Sequence, residues 1–260
     1  MDAVQNIHPA LLSFLVIFGL NLMGFLYGFF RQSDKVTDLT YAVSFIIGSV
    51  LVLVLTGQYS LGNILLVGMI GVWGLRLAGY LFRRIQQMGH DHRFDDMRPS
   101  PVRLAGFWTL QTVTIWIVLL PASIFIAAGG TATLNALQWI GVGLWLFGFV
   151  METVADAQKS SFKSSPGNKG RFISTGLWTS LRHPNYTGEI LVWIGLFLFT
   201  IPALSGIQFA TVISPIWIAF LLIFVSGIPL LEKSWEKRYG GDPEWEAYKK
   251  RSDRLLPGIY

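Results

Sequence analysis

Hydrophobic residues in this chain form long runs separated by short polar segments. Seven runs of about 20 residues carry few or no charges, and Arg76 is the only basic residue inside any of them. The runs cover residues 10–30, 39–57, 61–82, 104–127, 132–154, 187–205 and 207–231. They are too long and too uniform for the alternating segments of a transmembrane barrel, so they predict membrane-spanning α-helices.

The polar segments between the runs alternate in charge. Segments after the first, third, fifth and seventh runs hold 19 of the 20 Lys and Arg residues. Because basic residues are enriched in cytoplasmic loops, this pattern places the N-terminus outside and the C-terminus in the cytoplasm. The opening MDAVQNIHP lacks the basic stretch of a secretory signal peptide. The sequence therefore predicts an all-α, polytopic integral membrane protein, a seven-transmembrane-helix bundle forming one membrane domain over residues 1–260.

Composition narrows the possible functions. Residues are 52% hydrophobic and 13% charged, whereas soluble domains average about 25% charged. The absence of cysteine excludes disulfides, thiolate metal sites and a cysteine nucleophile. Four histidines cannot supply the histidine boxes of membrane oxidases, so no metal site is predicted. The net charge of +5 follows from the basic cytoplasmic loops, so nucleic-acid binding is not expected. Rossmann and Walker motifs are absent, so any nucleotide would bind at a site formed by the membrane helices.

Residues able to hold an anionic ligand concentrate in three cytoplasmic segments: 83–103, 155–186 and 232–260. The first mixes acidic and basic side chains, including Arg83, Asp91, Arg93 and Arg98. This mixture suits phosphate and ribose recognition, or it is only solvated charge that sets topology.

Polar residues also surround the sixth run. Glu152 and Asp156 lie one helical turn apart at the end of the fifth run, where a carboxylate at membrane depth is costly and therefore a candidate for function. Before the sixth run, Asn185 is predicted to cap the helix and Glu189 to fall in or near its first turn. Capping alone explains neither the guanidinium, the imidazole nor the phenol of the neighbouring Arg182, His183 and Tyr186, which suit phosphate binding at a helix N-terminus.

The tail places Trp235, Glu236 and Tyr239 at helical spacing and continues to Tyr248 and Arg251. Two interpretations remain open at this point. The tail is either an interfacial amphipathic helix with aromatic membrane anchors or a lid over a ligand.

The run GLWTSLRHPNYTGE at residues 176–189 and the tail from EKSWEKRYGG onward resemble the C-terminal region of the steroid 5-alpha-reductase family, in particular its bacterial members. The RHPNYTG core is also similar to isoprenylcysteine carboxyl methyltransferases and membrane phospholipid methyltransferases. The resemblance covers about residues 36–260 and is most specific over 150–260. It implies a seven-helix bundle in which NADPH enters from the cytoplasm and a lipid-like enone enters through the membrane.

Two upstream motifs favour the reductase branch of this superfamily. Tyr80-Leu81-Phe82-Arg83 resembles the Tyr-x-x-Arg stretch of the reductases, and Thr37-Asp38-Leu39 occupies the place of their Gln-Glu-Leu. In that family the glutamate and tyrosine hold the substrate carbonyl, so the resemblance implies that Asp38 and Tyr80 are catalytic. A neutral Asp38 in a dry pocket would donate a hydrogen bond to the carbonyl oxygen. The alternatives are an interfacial N-cap at Asp38 and a membrane-belt aromatic at Tyr80.

The resemblance also implies a cofactor site. Five residues fall where the reductases carry an aspartate, two arginines, an asparagine and a glutamate: Asp156, Lys163, Arg171, Asn185 and Glu189. Basic side chains are candidates for the NADPH phosphates and the others for its ribose, amide and nicotinamide. The complete predicted set is Arg83, Asp91, Arg93, Arg98, Asp156, Lys163, Arg171, Arg182, His183, Asn185, Tyr186, Glu189, Trp235, Glu236, Tyr239, Tyr248 and Arg251.

The function implied is NADPH-dependent reduction of the conjugated C=C bond of a 3-oxo-Δ4-steroid or a similar lipophilic enone. The alternatives are an S-adenosylmethionine-dependent membrane methyltransferase and a transporter or non-catalytic receptor. Expected partners are a hydrophobic small molecule and membrane lipid, with no nucleic acid and no obligate protein partner. The expected location is a bacterial inner membrane, with the active site open to the cytoplasm.

Overall fold

The computed structural model describes residues 8–33, 35–88, 95, 97, 99–256 and 258. Within these residues the fold is all-α, and the only β-structure is an isolated bridge between Leu181 and Asp253. The α-helices are α1 (Pro9–Arg31), α2 (Thr37–Thr56), α3 (Leu61–Met88), α4 (Pro101–Ala127), α5 (Ala136–Ser164), α6 (Pro184–Thr200), α7 (Ile213–Phe220), α8 (Ile228–Tyr239) and α9 (Pro243–Arg251). Seven helical segments of the described chain are long and apolar enough to span a membrane, which confirms the predicted fold class.

The seventh segment, Gly206–Tyr239, is not one regular helix. It begins with a 3₁₀-helix at Gly206–Val212 and continues through α7 into a π-helical turn at Leu221–Val225 before α8. A Cβ on Gly227 would lie 2.4 Å from the carbonyl oxygen of Leu222, so glycine is required where the chain turns from the π-helix into α8.

Several helix boundaries differ from the sequence expectation, including the end of α3 at Met88 rather than at 82. Helix α5 continues to Ser164, ten residues past the predicted end at 154, because polar residues sustain a helix that a hydropathy window no longer recognises. Helix α6 begins at Pro184, so Asn185 is not its N-cap as predicted but lies in its first turn. Proline suits the first helical position because an N–H there has no partner inside the helix.

The chain divides into two compact units, which are described separately. Unit 1 comprises Met1–Trp139 and Leu196–Ser214, and unit 2 comprises Ile140–Gly195 and Pro215–Tyr260. The single membrane domain expected from the sequence stays a prediction.

Unit 1 is built on α1 to α4, with α1 against α2 and α4 and with α2 against α3 and α4. A buried polar cluster links three of these helices. Asn21 Nδ2 donates to Ser44 Oγ at 3.3 Å, and Gln111 Nε2 donates to Asn21 Oδ1 at 2.9 Å. Because polar side chains in an apolar interior are costly without partners, these hydrogen bonds fix the rotational settings of α1, α2 and α4.

In unit 2, glycines allow α5 and α6 to approach each other at backbone contact. A Cβ on Gly188 would lie 2.6 Å from the backbone nitrogen of Glu152 and 2.7 Å from the carbonyl oxygen of Gly148. A Cβ on Gly195 would meet the backbone nitrogen of Trp145 at 2.5 Å. Close packing of small residues is a common way for membrane helices to associate, and it sets the first turn of α6 beside the polar end of α5.

The substitution Gly188→Ala should destabilise unit 2, because the added methyl group clashes with backbone atoms that cannot move aside. We expect a loss of about 1–3 kcal/mol, the usual cost of overpacking. Gly143→Ala on α5 is the matched control, since a Cβ there has no atom within 4 Å. Thermal unfolding in detergent should separate the two variants, and equal unfolding temperatures would contradict the close approach of α5 and α6.

Candidate functional site

The clearest candidate site is a pocket within unit 2, formed by the end of α5, residues 171–173 and helices α8 and α9. Three cationic side chains line it, namely Lys159, Lys163 and Arg171, and its described lining contains no carboxylate. The other lining residues are Ile173 and the aromatic residues Phe162, Phe172, Trp235, Tyr239, Trp245 and Tyr248. Cations beside aromatic faces suit a ligand that combines phosphates with flat rings.

Phe172 is at the centre of the aromatic wall of this pocket. Its ring stacks on Tyr248 with centroids 5.3 Å apart and meets Trp245 edge-on at 5.1 Å and Tyr239 edge-on at 5.5 Å. The Tyr239 hydroxyl donates to the carbonyl oxygen of Arg171 at 3.1 Å. These contacts hold the segment carrying Arg171 against α8 and α9, so the tail forms part of the pocket wall.

Tyr248 anchors α9 from inside this wall. It is 1% exposed, and its hydroxyl donates to the carbonyl oxygen of Trp178 at 2.6 Å. Burial raises the pKa of Tyr248 to about 12, so the phenol keeps its proton at physiological pH and remains a hydrogen-bond donor. The hydrogen bond to Trp178 and the stacking on Phe172 therefore explain why Tyr248 is buried.

Lys159 lies between two indole rings. Its Nζ is 4.7 Å from the ring centroid of Trp178 and 5.4 Å from that of Trp235. Cation–π contacts of this kind direct the ammonium group without neutralising its charge. Lys159 lies four residues before Lys163, so the two cations share one face of α5.

His183 precedes α6 and is completely buried, at 0% exposure. Its ring stacks nearly parallel on Trp235 and Tyr186, with centroid distances of 5.1 and 5.6 Å. Burial lowers the pKa of His183 against an opposing effect of Glu232, so the neutral imidazole is favoured. The two aromatic neighbours of His183 were both among the predicted site residues.

Some buried polar atoms at the start of α6 have no hydrogen-bond partner among the described residues. They are Nδ1 and Nε2 of His183 and Oδ1 of Asn185. The Nε2 atom lies 3.5 Å from Glu232 Oε1 but without hydrogen-bond alignment. Neither His183 nor Asn185 is among the described residues that line the unit 2 pocket.

Arg182 holds the C-terminal tail. It is 9% exposed, and its guanidinium donates to the carbonyl oxygens of Lys249 and Ser252 and, at 3.0 Å, to Glu232 Oε1. The backbone nitrogen of Arg182 also donates to the carbonyl oxygen of Asp253 at 2.8 Å. These contacts are all made within the protein, so they explain the burial of Arg182 by a structural role. Its role in binding a cofactor stays a prediction.

Glu232 of α8 takes part in the same set of contacts with Arg182. It accepts from Arg182 and forms a second ion pair with Arg254 at 3.1 Å. Thr187 on α6 donates to the carbonyl oxygen of Leu255 at 2.8 Å, which extends the same attachment. The described tail is thus fixed to the segment before α6 and to α6 itself, and the choice between an interfacial helix and a lid over a ligand stays a prediction.

The remaining predicted residues of unit 2 do not line this pocket and lie in different environments. Asp156 is 4% exposed on α5, and Glu189 is half-buried on α6. Glu236 accepts from Trp245 Nε1 at 3.2 Å and from Lys249 Nζ at 2.9 Å, so it is used in joining α8 to α9. Arg251 is exposed and lies over the ring of Tyr248 at 5.6 Å.

In unit 1, Asp38 and Tyr80 lie on adjacent helices. Asp38, in the first turn of α2, forms an ion pair with Arg84 of α3, whose Nη2 is 2.5 Å from Asp38 Oδ2. Tyr80 is one turn before Arg84 on α3 and lies beneath the guanidinium of Arg76 at 5.7 Å. Arg83 is exposed. The Arg84 pair engages Asp38 as an acceptor, so the predicted donor role of Asp38 requires this pair to open.

Unit 1 also contains an apolar groove between α1 and α4, with a volume of about 270 Å³. Its walls include Phe14, Phe18 and Phe25, and Asn21 lies on its polar side. Asn21 accepts from Gln111, whose Nε2 is also 3.5 Å from the carbonyl oxygen of Thr37. This hydrogen-bond chain connects the groove to the N-terminus of α2, which carries Asp38.

Sequence reasoning missed several residues that shape these sites. Lys159, Phe172 and Trp245 complete the pocket of unit 2, and Arg84 pairs with Asp38. The four-residue spacing of Lys159 and Lys163 was a usable signal, whereas Phe172 and Arg84 had none in a single sequence. Three predicted residues, Asp91, Arg93 and Arg98, lie outside the described residues.

Comparison with known proteins assigns the family. Residues 24–252 match the family described as a protein of unknown function, DUF1295. The chain belongs to the DUF1295 family. The match covers α2 to α9 and so includes residues of both units of this DUF1295 protein. No solved structure matches the chain.

Two curated proteins are similar to parts of this DUF1295 protein. An uncharacterised protein of Schizosaccharomyces pombe is 27% identical over 167 residues, which are 57% of this chain and 47% of that protein. A probable O-methyltransferase, ustE, of Ustilaginoidea virens is 34% identical over 83 residues, which are 32% of this chain and 29% of that protein. The chain thus spans about half the length of the first relative and less than a third of the second.

Proposed function

We propose that this membrane protein is an enzyme that uses NADPH to reduce the conjugated C=C bond of a lipophilic enone, such as a 3-oxo-Δ4-steroid. The observation that carries the proposal is the charge of the unit 2 pocket: Lys159, Lys163 and Arg171 line it together with aromatic rings and without a described carboxylate. NADPH carries a diphosphate and a third phosphate on its adenosine ribose, so the three cations can pair with its three phosphate groups.

The chemistry of the lining residues suits this cofactor, and the pocket, at about 40 Å³, must widen to admit a dinucleotide. Lys163 and Arg171 suit its phosphates, and Trp235, Tyr239 and Phe172 offer ring faces for stacking. The Oδ1 of Asn185 and the Nδ1 of His183 have no hydrogen-bond partner among the described residues and suit a carboxamide or ribose, although neither residue lines the pocket. When bound, NADPH supplies the hydride, and these side chains hold and orient it.

The acceptor is assigned to unit 1. The apolar groove between α1 and α4 suits a greasy molecule that arrives from the bilayer, since Phe18 and Leu22 in its wall are 46% and 41% exposed. As hydride adds to the β-carbon, negative charge builds on the carbonyl oxygen. Tyr80 would donate a hydrogen bond to that oxygen, and Asp38 would do so after release from Arg84. A proton from water then completes the reduced product at the α-carbon.

The second candidate function is S-adenosylmethionine-dependent methyl transfer. The similarity to a probable O-methyltransferase over 83 residues favours it, as does the RHPNYTG sequence. The positive charge of the unit 2 pocket argues against this function. S-adenosylmethionine carries one carboxylate and no phosphate, so three cations would add little to its binding. Both candidates use a nucleotide-like cofactor, so the choice between them is a choice of cofactor.

Ligand-dependent stability distinguishes the two cofactors. We expect NADPH to raise the unfolding temperature of the purified protein, because a ligand that binds only the folded state stabilises it by mass action. S-adenosylmethionine should leave that temperature unchanged at the same concentration, and NADH, which lacks the ribose phosphate, should have a smaller effect than NADPH. Stabilisation by S-adenosylmethionine alone would reject the reductase and favour the methyltransferase.

A further inference from the structure

Helix α8 separates its acidic and basic side chains onto different faces. Both of its acids are engaged by cations from elsewhere in unit 2: Glu232 by Arg182 and Arg254, and Glu236 by Lys249. Its own lysines, Lys233 and Lys237, are exposed and form no ion pair with any described residue. The outward face of α8 therefore keeps a net positive charge that the protein does not neutralise.

These lysines continue a membrane-spanning segment. Helix α8 ends the candidate span Gly206–Tyr239, and exposed apolar residues lie just before this helix and in its first turn, with Phe224 at 65% and Leu230 at 53% exposure. Leu230, Lys233 and Lys237 follow the i, i+3, i+7 spacing of one helical face. Over about 10 Å, seven residues at 1.5 Å each, this face changes from apolar to basic.

An apolar-to-basic transition of this size corresponds to the boundary between the acyl chains and the headgroups of a bilayer. Lysines at this level attract anionic headgroups, and aliphatic side chains just below them contact acyl chains. We propose that Leu230, Lys233 and Lys237 form a binding site for an anionic phospholipid. The phosphate is held between the two lysines, and an acyl chain lies against Leu230.

The site is separate from the unit 2 pocket. Neither lysine lines that pocket, whose cations are Lys159, Lys163 and Arg171. The occupant is a lipid rather than a soluble anion because the basic groups adjoin exposed apolar residues that only an acyl chain covers favourably. Occupancy would fix the start of α8, just after the turn at Gly227, and so support the helix that carries Glu232.

The test uses the full chain in nanodiscs of phosphatidylcholine with increasing fractions of phosphatidylglycerol, with the unfolding temperature as readout. Phosphatidylglycerol should stabilise the wild-type protein, and added salt should weaken the effect. The double variant Lys233→Gln/Lys237→Gln should lose about fivefold in apparent lipid affinity for each lysine, hence roughly 25-fold for both. Lys233→Arg/Lys237→Arg should retain wild-type affinity.

The matched control is Lys169→Gln/Lys250→Gln, which removes the same charge from two exposed lysines of unit 2 that lie off this face. This variant should keep wild-type lipid affinity. Equal losses in the two double variants would overturn the proposal in favour of general surface charge. Equal stabilisation of the wild type by inorganic phosphate, or by phosphatidylcholine alone, would overturn it as well.

Discussion

Replacing Tyr80 with phenylalanine should lower the rate of NADPH-dependent enone reduction by about 100- to 1,000-fold, the usual cost of removing one oxyanion donor. The phenol hydroxyl is the group proposed to stabilise charge on the carbonyl oxygen, and phenylalanine keeps the ring that lies beneath Arg76. The measurement is kcat for consumption of NADPH with an excess of a 3-oxo-Δ4-steroid. NADPH affinity should be unchanged, because Tyr80 is not among the residues proposed to hold the cofactor.

Tyr59→Phe is the control for this variant, since Tyr59 is 58% exposed and precedes α3. It should retain the wild-type rate. Asp38→Asn in the same assay tests the second proposed donor and should also reduce kcat, whereas Arg84→Gln reports on the ion pair itself. A Tyr80→Phe enzyme as fast as the Tyr59→Phe enzyme would remove Tyr80 from the mechanism.

The second large effect is expected in cofactor binding. The double variant Lys163→Gln/Arg171→Gln should weaken NADPH binding by about 100-fold or more, because hydrogen bonds to charged groups contribute about 1.5–3 kcal/mol each and 1.4 kcal/mol corresponds to tenfold. Both side chains line the pocket of unit 2. Affinity is measured by equilibrium titration, with quenching of tryptophan fluorescence as the signal, since Trp235 and Trp245 line the same pocket.

Lys169→Gln provides the control for this titration. Lys169 lies between the two substituted residues in the sequence, is exposed, and is not in the pocket lining. The control should bind NADPH as the wild type does. If the double variant and the control bind equally well, the phosphates of the cofactor are held elsewhere, and the pocket loses its assignment.

The fold was largely predictable because membrane spans are a strong sequence signal. A helix buried in lipid needs a long apolar run, and the seven runs correspond to the seven segments of the structure. The ends were less predictable. The last ten residues of α5, including Lys159 and Lys163, are helical and polar, so hydropathy assigned them to a loop. The π-helical turn at Leu221–Val225 left no signal, because its residues are as apolar as their neighbours.

The candidate site was predictable in composition but not in arrangement. Aromatic and basic residues of the tail and of the segment before α6 were recognised, and the structure brings Lys163, Arg171 and Trp235 to one pocket. Arg182 looked equally suitable for phosphate, yet its donors are used by Glu232 and the tail. A sequence shows which groups are present, whereas packing decides which of them come together in one pocket.

The most direct test of the central claim is a structure determined in the presence of NADPH. We predict dinucleotide density in the pocket of unit 2, with phosphates beside Lys163 and Arg171 and with polar contacts to Asn185. Two results would contradict the assignment of the protein as an NADPH-dependent reductase. One is density for S-adenosylmethionine in this pocket when that compound is added in place of NADPH. The other is a pocket that stays without NADPH while its side chains keep their present contacts.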